Sequence, residues 1–389
     1  MSDLNQIALL AYNDTLGRRY SVEEWLPRSD EGPDGPEVVK DQEWFWNFEG
    51  KEDRSITYLN SKGDAHSLNA YLIKGNTNKA IILSHGITGC SRMMGNFVKP
   101  FFDLGFTILT PDLRGHGRND ENIFELGIYS SKDYISWANM LISELGSNLE
   151  IYLFGVSLGG AIVLGAVGGS DVPSNIKNII IDASPIDMQY VGRNLLLSNQ
   201  YLAGLQDDEK TIVVDKVNDL FFSNQGCRIE QSLNAMESLT RQQQLLVIHG
   251  RNDTSFPLSV NDNFLKYYWG ATKGYFYVEG ANHPQSMWYD YQGYISILKH
   301  FVDVCSLSSP LISGVIEKAE GYYFAGEDIN LMDGVMAYDK VDKDITAKVT
   351  TVGSVDINAP GEYTISYKVE NSSGMSSEIS TIIYIQPAR

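Results

Sequence analysis

The chain has 389 residues, 43% hydrophobic and 20% charged, which is enough apolar material for a large core and excludes a disordered chain; the length suggests two or three domains. A formal net charge of −19 repels nucleic acid phosphates and anionic membrane surfaces, so neither is expected as a partner. No apolar run approaches the roughly 20 residues a membrane helix needs, and residues 1–6 carry no basic stretch of the kind that opens a signal peptide.

Residues 4–16 read as an amphipathic helix with Leu4, Ile7, Ala8, Ala11 and Tyr12 on one stripe. Residues 30–36 mix Asp with Gly and Pro and read as a solvated loop; their spacing fits no calcium loop. The aromatic cluster at 44–48 is expected to pack a gap rather than line a substrate groove. Residues 1–54 are therefore taken as an N-terminal extension packed on the next domain.

That domain spans 55–306. Two runs, 56–59 and 68–73, flank a turn-rich 60–64 and predict a hairpin. Short apolar runs then alternate with helical stretches, at 80–83, 106–109, 151–154, 179–181, 245–248 and 275–278. Continuous apolar strands separated by helices predict an α/β fold, a mostly parallel sheet covered on both faces, with the hairpin as an antiparallel edge. The interval 185–244 is too long for an ordinary crossover and reads as a helical cap, its apolar side supplied by 195–197, 201–202 and 220–222. Residues 306–310 read as a linker. Beyond them, alternating stretches at 362–369 and 379–385 predict an all-β sandwich over 311–389.

Within this frame Gly155-Val156-Ser157-Leu158-Gly159 lies between an apolar strand and a small, apolar helix. A serine at the apex of such a turn is placed as a nucleophile, with glycines where side chains would collide. The base it needs should follow the last strand, which singles out His283 among six histidines. The acid that orients the base should follow the preceding strand, which singles out Asp253. Residues 84–89 follow the 80–83 strand, so the amides of Ile87 and Leu158 are the expected oxyanion donors. His85 and His249, each beside a glycine at a strand end, read as structural hydrogen-bonding residues, His116 as a turn residue bonded to backbone, and His66 and His300 as surface residues.

Cys90, Cys227 and Cys305 are far apart and form no C-x-x-C pair, so three reduced, buried thiols are expected and neither a zinc site nor a disulfide framework. Asp339, Asp342 and Asp344 read as a solvated turn rather than a calcium site.

The segments 85–89, 112–117, 155–159, 250–253 and 282–283 together resemble the α/β-hydrolase family, most closely its carboxylesterases and feruloyl or cinnamoyl esterases. The resemblance covers about 55–303 and implies a doubly wound, eight-stranded sheet, a Ser157, Asp253 and His283 triad, and no cofactor or metal. It also implies that an Asp and an Arg within 112–117 brace the oxyanion loop. The short H-G-x-T-G form departs from the lipase H-G-G-G pattern. The C-terminal stretch, in particular 337–346 and 361–365, resembles bacterial Ig-like domains of surface proteins, which act as spacers or adhesion modules.

The expected activity is cleavage of a carboxylic ester, on a small-molecule or lipid-like substrate, through an acyl-enzyme. Amidase, peptidase or thioesterase chemistry on the same triad is the alternative, and an inert scaffold whose Ig-like unit binds a surface glycan or protein is another. The Ig-like unit points to an extracellular or virion-associated place reached without an N-terminal signal; the unpaired cysteines point to the cytosol.

Overall fold

The computed structural model describes residues 3–17, 28–60, 62–120, 124–237, 243–268, 273–316, 318 and 323–388. Eight strands make the main sheet: β1 Lys51–Leu59, β2 Ala65–Ile73, β3 Lys79–Ser84, β4 Thr107–Pro111, β5 Glu150–Val156, β6 Ile176–Asp182, β7 Gln244–Gly250 and β8 Lys273–Val278. Their order is β1-β2-β4-β3-β5-β6-β7-β8. The expected hairpin is present, β1 pairing antiparallel with β2 from Lys51↔Ile73 to Leu59↔Ala65. β2 is antiparallel to β4, while β3 runs parallel to β4 and β5, β6 to β7, and β7 to β8. All of β4 and all but the first residue of β3, β5 and β7 are buried, which is why these strands read as unbroken apolar runs.

The chain divides into two compact units, one of residues 1–27, 40–176 and 184–238, the other of 28–39, 177–183 and 239–389. The helices are α1 Leu4–Asp14, α2 Gly35–Asn47, α3 Gly95–Asp103, α4 Ser130–Leu145, α5 Leu158–Ala166, α6 Met188–Leu197, α7 Asp207–Gln225, α8 Leu258–Tyr267, α9 Ser286–Tyr289 and α10 Tyr291–Leu307.

In the first unit, α1 starts where the Asp3 carboxylate caps the Asn5 amide at 3.0 Å. It buries Ala8, Ala11 and Tyr12 and lies along α7 of the cap. Each apolar cluster of the cap buries one residue and leaves another exposed: Leu196 and Leu197, Leu202 and Tyr201, Phe221 and Phe222. A helix or tight turn aims only one of two adjacent side chains inward. The aromatic cluster of α2 packs as expected. Phe45 is buried against Tyr71, and the rings of Trp44, Phe48 and Phe102 stand 4.9–5.2 Å apart. Gln42 ties this helix to the start of α3, accepting from the Gly95 amide at 2.9 Å and donating to the Arg92 carbonyl at 2.8 Å.

In the second unit, the C-terminal strands are β9 Leu311–Ser313, β10 Tyr323–Phe324, β11 Met336–Asp339, β12 Lys343–Asp344, β13 Thr350–Val352, β14 Gly361–Glu370 and β15 Ser376–Gln386. They form a β10-β15-β14-β13 sheet and a β12-β11-β9 sheet, an all-β Ig-like arrangement. The alternation along β14 and β15 aims Ile365, Tyr367, Ile383 and Ile385 into a core with Ile312 and Val335. α10 runs through Leu307, so the stretch read as a linker begins inside its last turn.

Two readings are corrected here. His300 is half-buried rather than a surface residue: its Nε2 accepts the Ile312 amide at 3.4 Å, and burial pushes its pKa down to about 4, which keeps the ring a neutral acceptor. Asp339 is 1% exposed rather than solvated. Its Oδ1 accepts the amides of Val341 and Asp342, and its Oδ2 accepts Asn371 Nδ2 at 2.9 Å, so it pegs the β11–β12 turn to the β14–β15 turn.

Candidate active site

Ser157 sits in the turn between β5 and α5 with φ 53° and ψ −126°, a conformation that costs a non-glycine residue about 1–3 kcal/mol. The neighbouring glycines are steric requirements. A Cβ on Gly155 would strike the backbone of Gly159 and Gly160, one on Gly159 the carbonyls of Ser84 and His85, and one on Gly160 the Ser184 hydroxyl. Leu158 is the first residue of α5, so its amide has no acceptor within the helix and lies at the positive end of the helix dipole. Ser157 itself is 8% exposed.

The 85–89 loop lies against this serine. A Cβ on Gly86 would come within 3.2 Å of Ser157 Cβ and 3.7 Å of its Oγ. The Gly89 amide closes a turn onto the Gly86 carbonyl at 3.1 Å, with Ile87 and Thr88 as its central residues. Thr88 has φ 67°, a position where a β-branched residue is strained. His85 holds the loop from both sides: Nδ1–H donates to the Gly86 carbonyl at 2.7 Å and Nε2 accepts the Leu113 amide at 3.0 Å. Burial lowers its pKa, and a neutral ring with one donor and one acceptor fits this pattern. His116 likewise donates to backbone, from Nδ1 to the Arg114 carbonyl at 2.8 Å, and burial pushes it down to about 3. Burial, reinforced by Asp112, pushes the Cys90 thiol up to about 11, so it stays protonated and packed.

Asp112 and Arg114 part company with the expectation that both brace the oxyanion loop. Asp112 Oδ1 accepts the Ser91 amide, two residues beyond the 85–89 loop, at 2.7 Å, and its Oδ2 the Arg118 amide at 3.1 Å. Arg114 instead makes a bidentate pair with Asp133 of α4, both bonds 2.7 Å, and stacks 3.8 Å from the Tyr58 ring. Burial opposes its charge, but the Asp133 pair holds its pKa above the ordinary value.

The second unit carries Asp253, after β7, and His283, after β8. His283 Nδ1 lies 2.9 Å from Asp253 Oδ2. Asp253 Oδ1 accepts the amides of Ser255 at 2.8 Å and Phe256 at 2.9 Å. Burial works to raise the Asp253 pKa, but the His283 bond and these neighbours win and hold it below the usual value. The Phe256 ring meets the His283 imidazole edge-on at 5.0 Å. Asn282 Oδ1 accepts the amides of His283 at 2.9 Å and Thr254 at 3.2 Å, joining the two loops.

His249 is structural. Nε2–H donates to the Phe256 carbonyl at 2.8 Å and Nδ1 accepts Asn261 Nδ2 at 2.7 Å. Its Nε2 is also 3.4 Å from Asp253, but burial lowers its pKa, so the contact is between a neutral ring and a carboxylate rather than an ion pair.

Sequence reasoning passed over Asp182. It is fully buried at the end of β6 and accepts Ser286 Oγ at 3.2 Å and Tyr294 OH at 2.9 Å. Burial pushes its pKa up to about 7, against those hydroxyls and the His283 charge. Its only sequence signal is an acid closing an apolar strand. Thus Ile87, Ser157 and Leu158 lie in the first unit, and Asp253 and His283 in the second. Among the described residues, no cluster of His, Cys, Asp or Glu is arranged to hold a metal ion.

A family profile described as the alpha/beta hydrolase fold matches residues 79–300, and one described as the Ig-like domain of bacterial surface proteins matches 322–384. No curated protein matches the chain in sequence. Among solved structures, the esterase Pf2001 of Pyrococcus furiosus is similar in two crystal forms. Each has a TM-score of 0.51, with 18% and 17% identity, over 74% of this chain and 97% of the esterase. The esterase RhEst1 from Rhodococcus sp. ECU1013 matches at a TM-score of 0.44 and 16% identity, over 64% of this chain and 98% of its own. At these identities the likeness is one of fold.

Proposed function

The chain belongs to the alpha/beta hydrolase fold family, and from that premise we propose that it is a serine hydrolase that cleaves carboxylic esters through an acyl-enzyme. The observation that carries the reading is the strained backbone of Ser157 at the turn between β5 and α5. The part-buried Asp253–His283 pair supports it.

In this mechanism Ser157 Oγ attacks the ester carbonyl as His283 Nε2 takes its proton. Asp253 holds Nδ1–H, fixes the tautomer that leaves Nε2 as the acceptor, and stabilises the imidazolium that forms. The tetrahedral oxyanion is stabilised by the amides of Ile87 and Leu158. His283 then returns the proton to the departing alcohol, and water, activated by the same imidazole, releases the acid. The strain at Thr88 and the paired bonds of His85 and Asp112 are consistent with a rigid, pre-aimed loop. The substrate in this reading is a small-molecule ester.

The test is Ser157→Ala in the full chain, assayed with p-nitrophenyl butyrate, a matched thioester and a matched anilide, beside labelling by a fluorophosphonate. Turnover of the ester and labelling should both vanish in a folded variant. Near-parental turnover, or an unlabelled native protein, would falsify the assignment.

A further inference from the structure

A cleft of about 580 Å³ lies wholly within the second unit, between α8 and β8 on one wall and β11–β12 of the Ig-like module on the other. This volume falls in the range of small-molecule sites. Its walls are held together by named bonds. The Tyr275 amide donates to Ser313 Oγ at 3.1 Å, Tyr275 OH donates to the Gly334 carbonyl, and the Lys273 ammonium lies 4.7 Å from the Tyr338 ring. The cleft is therefore a built feature of the unit rather than a gap beside a tether.

Its lining departs from the rest of the surface in charge. The chain carries −19, yet the cleft presents Arg251, Lys266, Lys273 and Lys343 against only Asp262 and Asp344. Lys273 is turned inward, donating to the carbonyls of Leu265 at 2.6 Å and Tyr268 at 3.1 Å, and Arg251 pairs with Glu279 at 3.5 Å, so the cations left for a ligand are Lys266 and Lys343. Lys343 has φ 65°, a left-handed backbone that glycine or asparagine would adopt at lower cost. Tyr275 and Tyr277 stack at 4.4 Å, and Tyr338 lines the opposite wall, which adds aromatic surface carrying hydroxyls.

These features select a chemistry. Cations alone would suit any anion, but Asp262 and Asp344 among them oppose a bare polyanion and call for donors on the ligand. Aromatic rings favour a ligand with an apolar C–H face. An anion, several hydroxyls and a flat apolar face together describe an acidic sugar. We propose that this cleft, lined by none of the residues assigned to ester cleavage, binds a saccharide bearing a carboxylate or phosphate, independently of the ester-hydrolase reading.

The test is calorimetric titration of the full-length protein with tetragalacturonate, glucose 6-phosphate, maltotetraose and inorganic phosphate. The first two should bind at least tenfold tighter than neutral maltotetraose, and their ratio distinguishes a carboxylate from a phosphate source. Lys266→Gln with Lys343→Asn, the latter suited to positive φ, should weaken that binding at least tenfold and leave p-nitrophenyl butyrate turnover unchanged. Asp344→Asn should tighten it several-fold. Binding of maltotetraose as tight as tetragalacturonate, inorganic phosphate binding as tightly as glucose 6-phosphate, no binding of either acidic sugar, or affinities indifferent to all three substitutions would each overturn the proposal.

Discussion

His283 Nδ1 meets Asp253 Oδ2 at 2.9 Å, while the other oxygen of the same carboxylate is committed to the amides of Ser255 and Phe256. The carboxylate thus has one orientation, and that orientation dictates which imidazole nitrogen carries the proton. Asp253→Asn keeps the shape but lets the amide present its NH2 to Nδ1, reversing the tautomer. Turnover of an ester is expected to fall by about 10³–10⁴ with little change in KM or thermal midpoint. Steady-state kinetics on the folded variant measure this, and a loss under tenfold would remove Asp253 from the mechanism.

Gly86 is the residue against the Ser157 side chain. Gly86→Ala would place a methyl 3.2 Å from Ser157 Cβ, close enough that the loop or the elbow must shift by a few tenths of an ångström. The expected result is a loss of about 10–100-fold in kcat, because small misplacements of a reacting group are costly, with a modest loss of stability. Unaltered kcat would show that Ser157 tolerates displacement and is not held for chemistry.

Arg114 and Asp133 form a bidentate pair at side-chain exposures of 8% and 9%, with the Tyr58 ring against the guanidinium. Lysine keeps the charge but loses the fork and the stacking face. Arg114→Lys should destabilise the protein by about 2 kcal/mol, read as a lower urea midpoint at unchanged m-value. An unchanged midpoint would mean that the pair contributes specificity rather than stability.

Asp182 links stability to pH. Its folded pKa, about 7, lies above the unfolded value near 3.9, so the folded state holds a proton that the unfolded state has released. Stability from this group is full below about pH 4 and is lost as pH rises through about 7. Asp182→Asn mimics the protonated acid and does not titrate. The variant should therefore gain thermal midpoint relative to the parent as pH rises from 4 to 8, and parallel pH profiles would contradict the buried-acid assignment.

The strands were legible because burial on both faces leaves a continuous apolar run, as in β3, β4 and β7. The turn at Ser157 was legible because a strained elbow needs glycine at 155, 159 and 160, each for a collision that any Cβ would make. Harder to read were the polar residues between these landmarks. Asp112 and Arg114 sit two apart in one motif, yet one bonds the Ser91 amide and the other Asp133. His300 looked like a surface residue until β9 folded over it, and Asp339 like a solvated turn until Asn371 closed on it.

The sequence by itself determined the α/β architecture, the all-β module that follows it and the elbow, because each rests on local periodicity or on the backbone freedom of glycine. Only the tertiary structure decided which partner each buried polar group takes, why burial raises the Asp182 pKa, and that α8, β8 and the Ig-like module line one cleft. Those outcomes depend on desolvation and on hydrogen bonds between residues tens to hundreds of positions apart, and neither has a local signature in the chain.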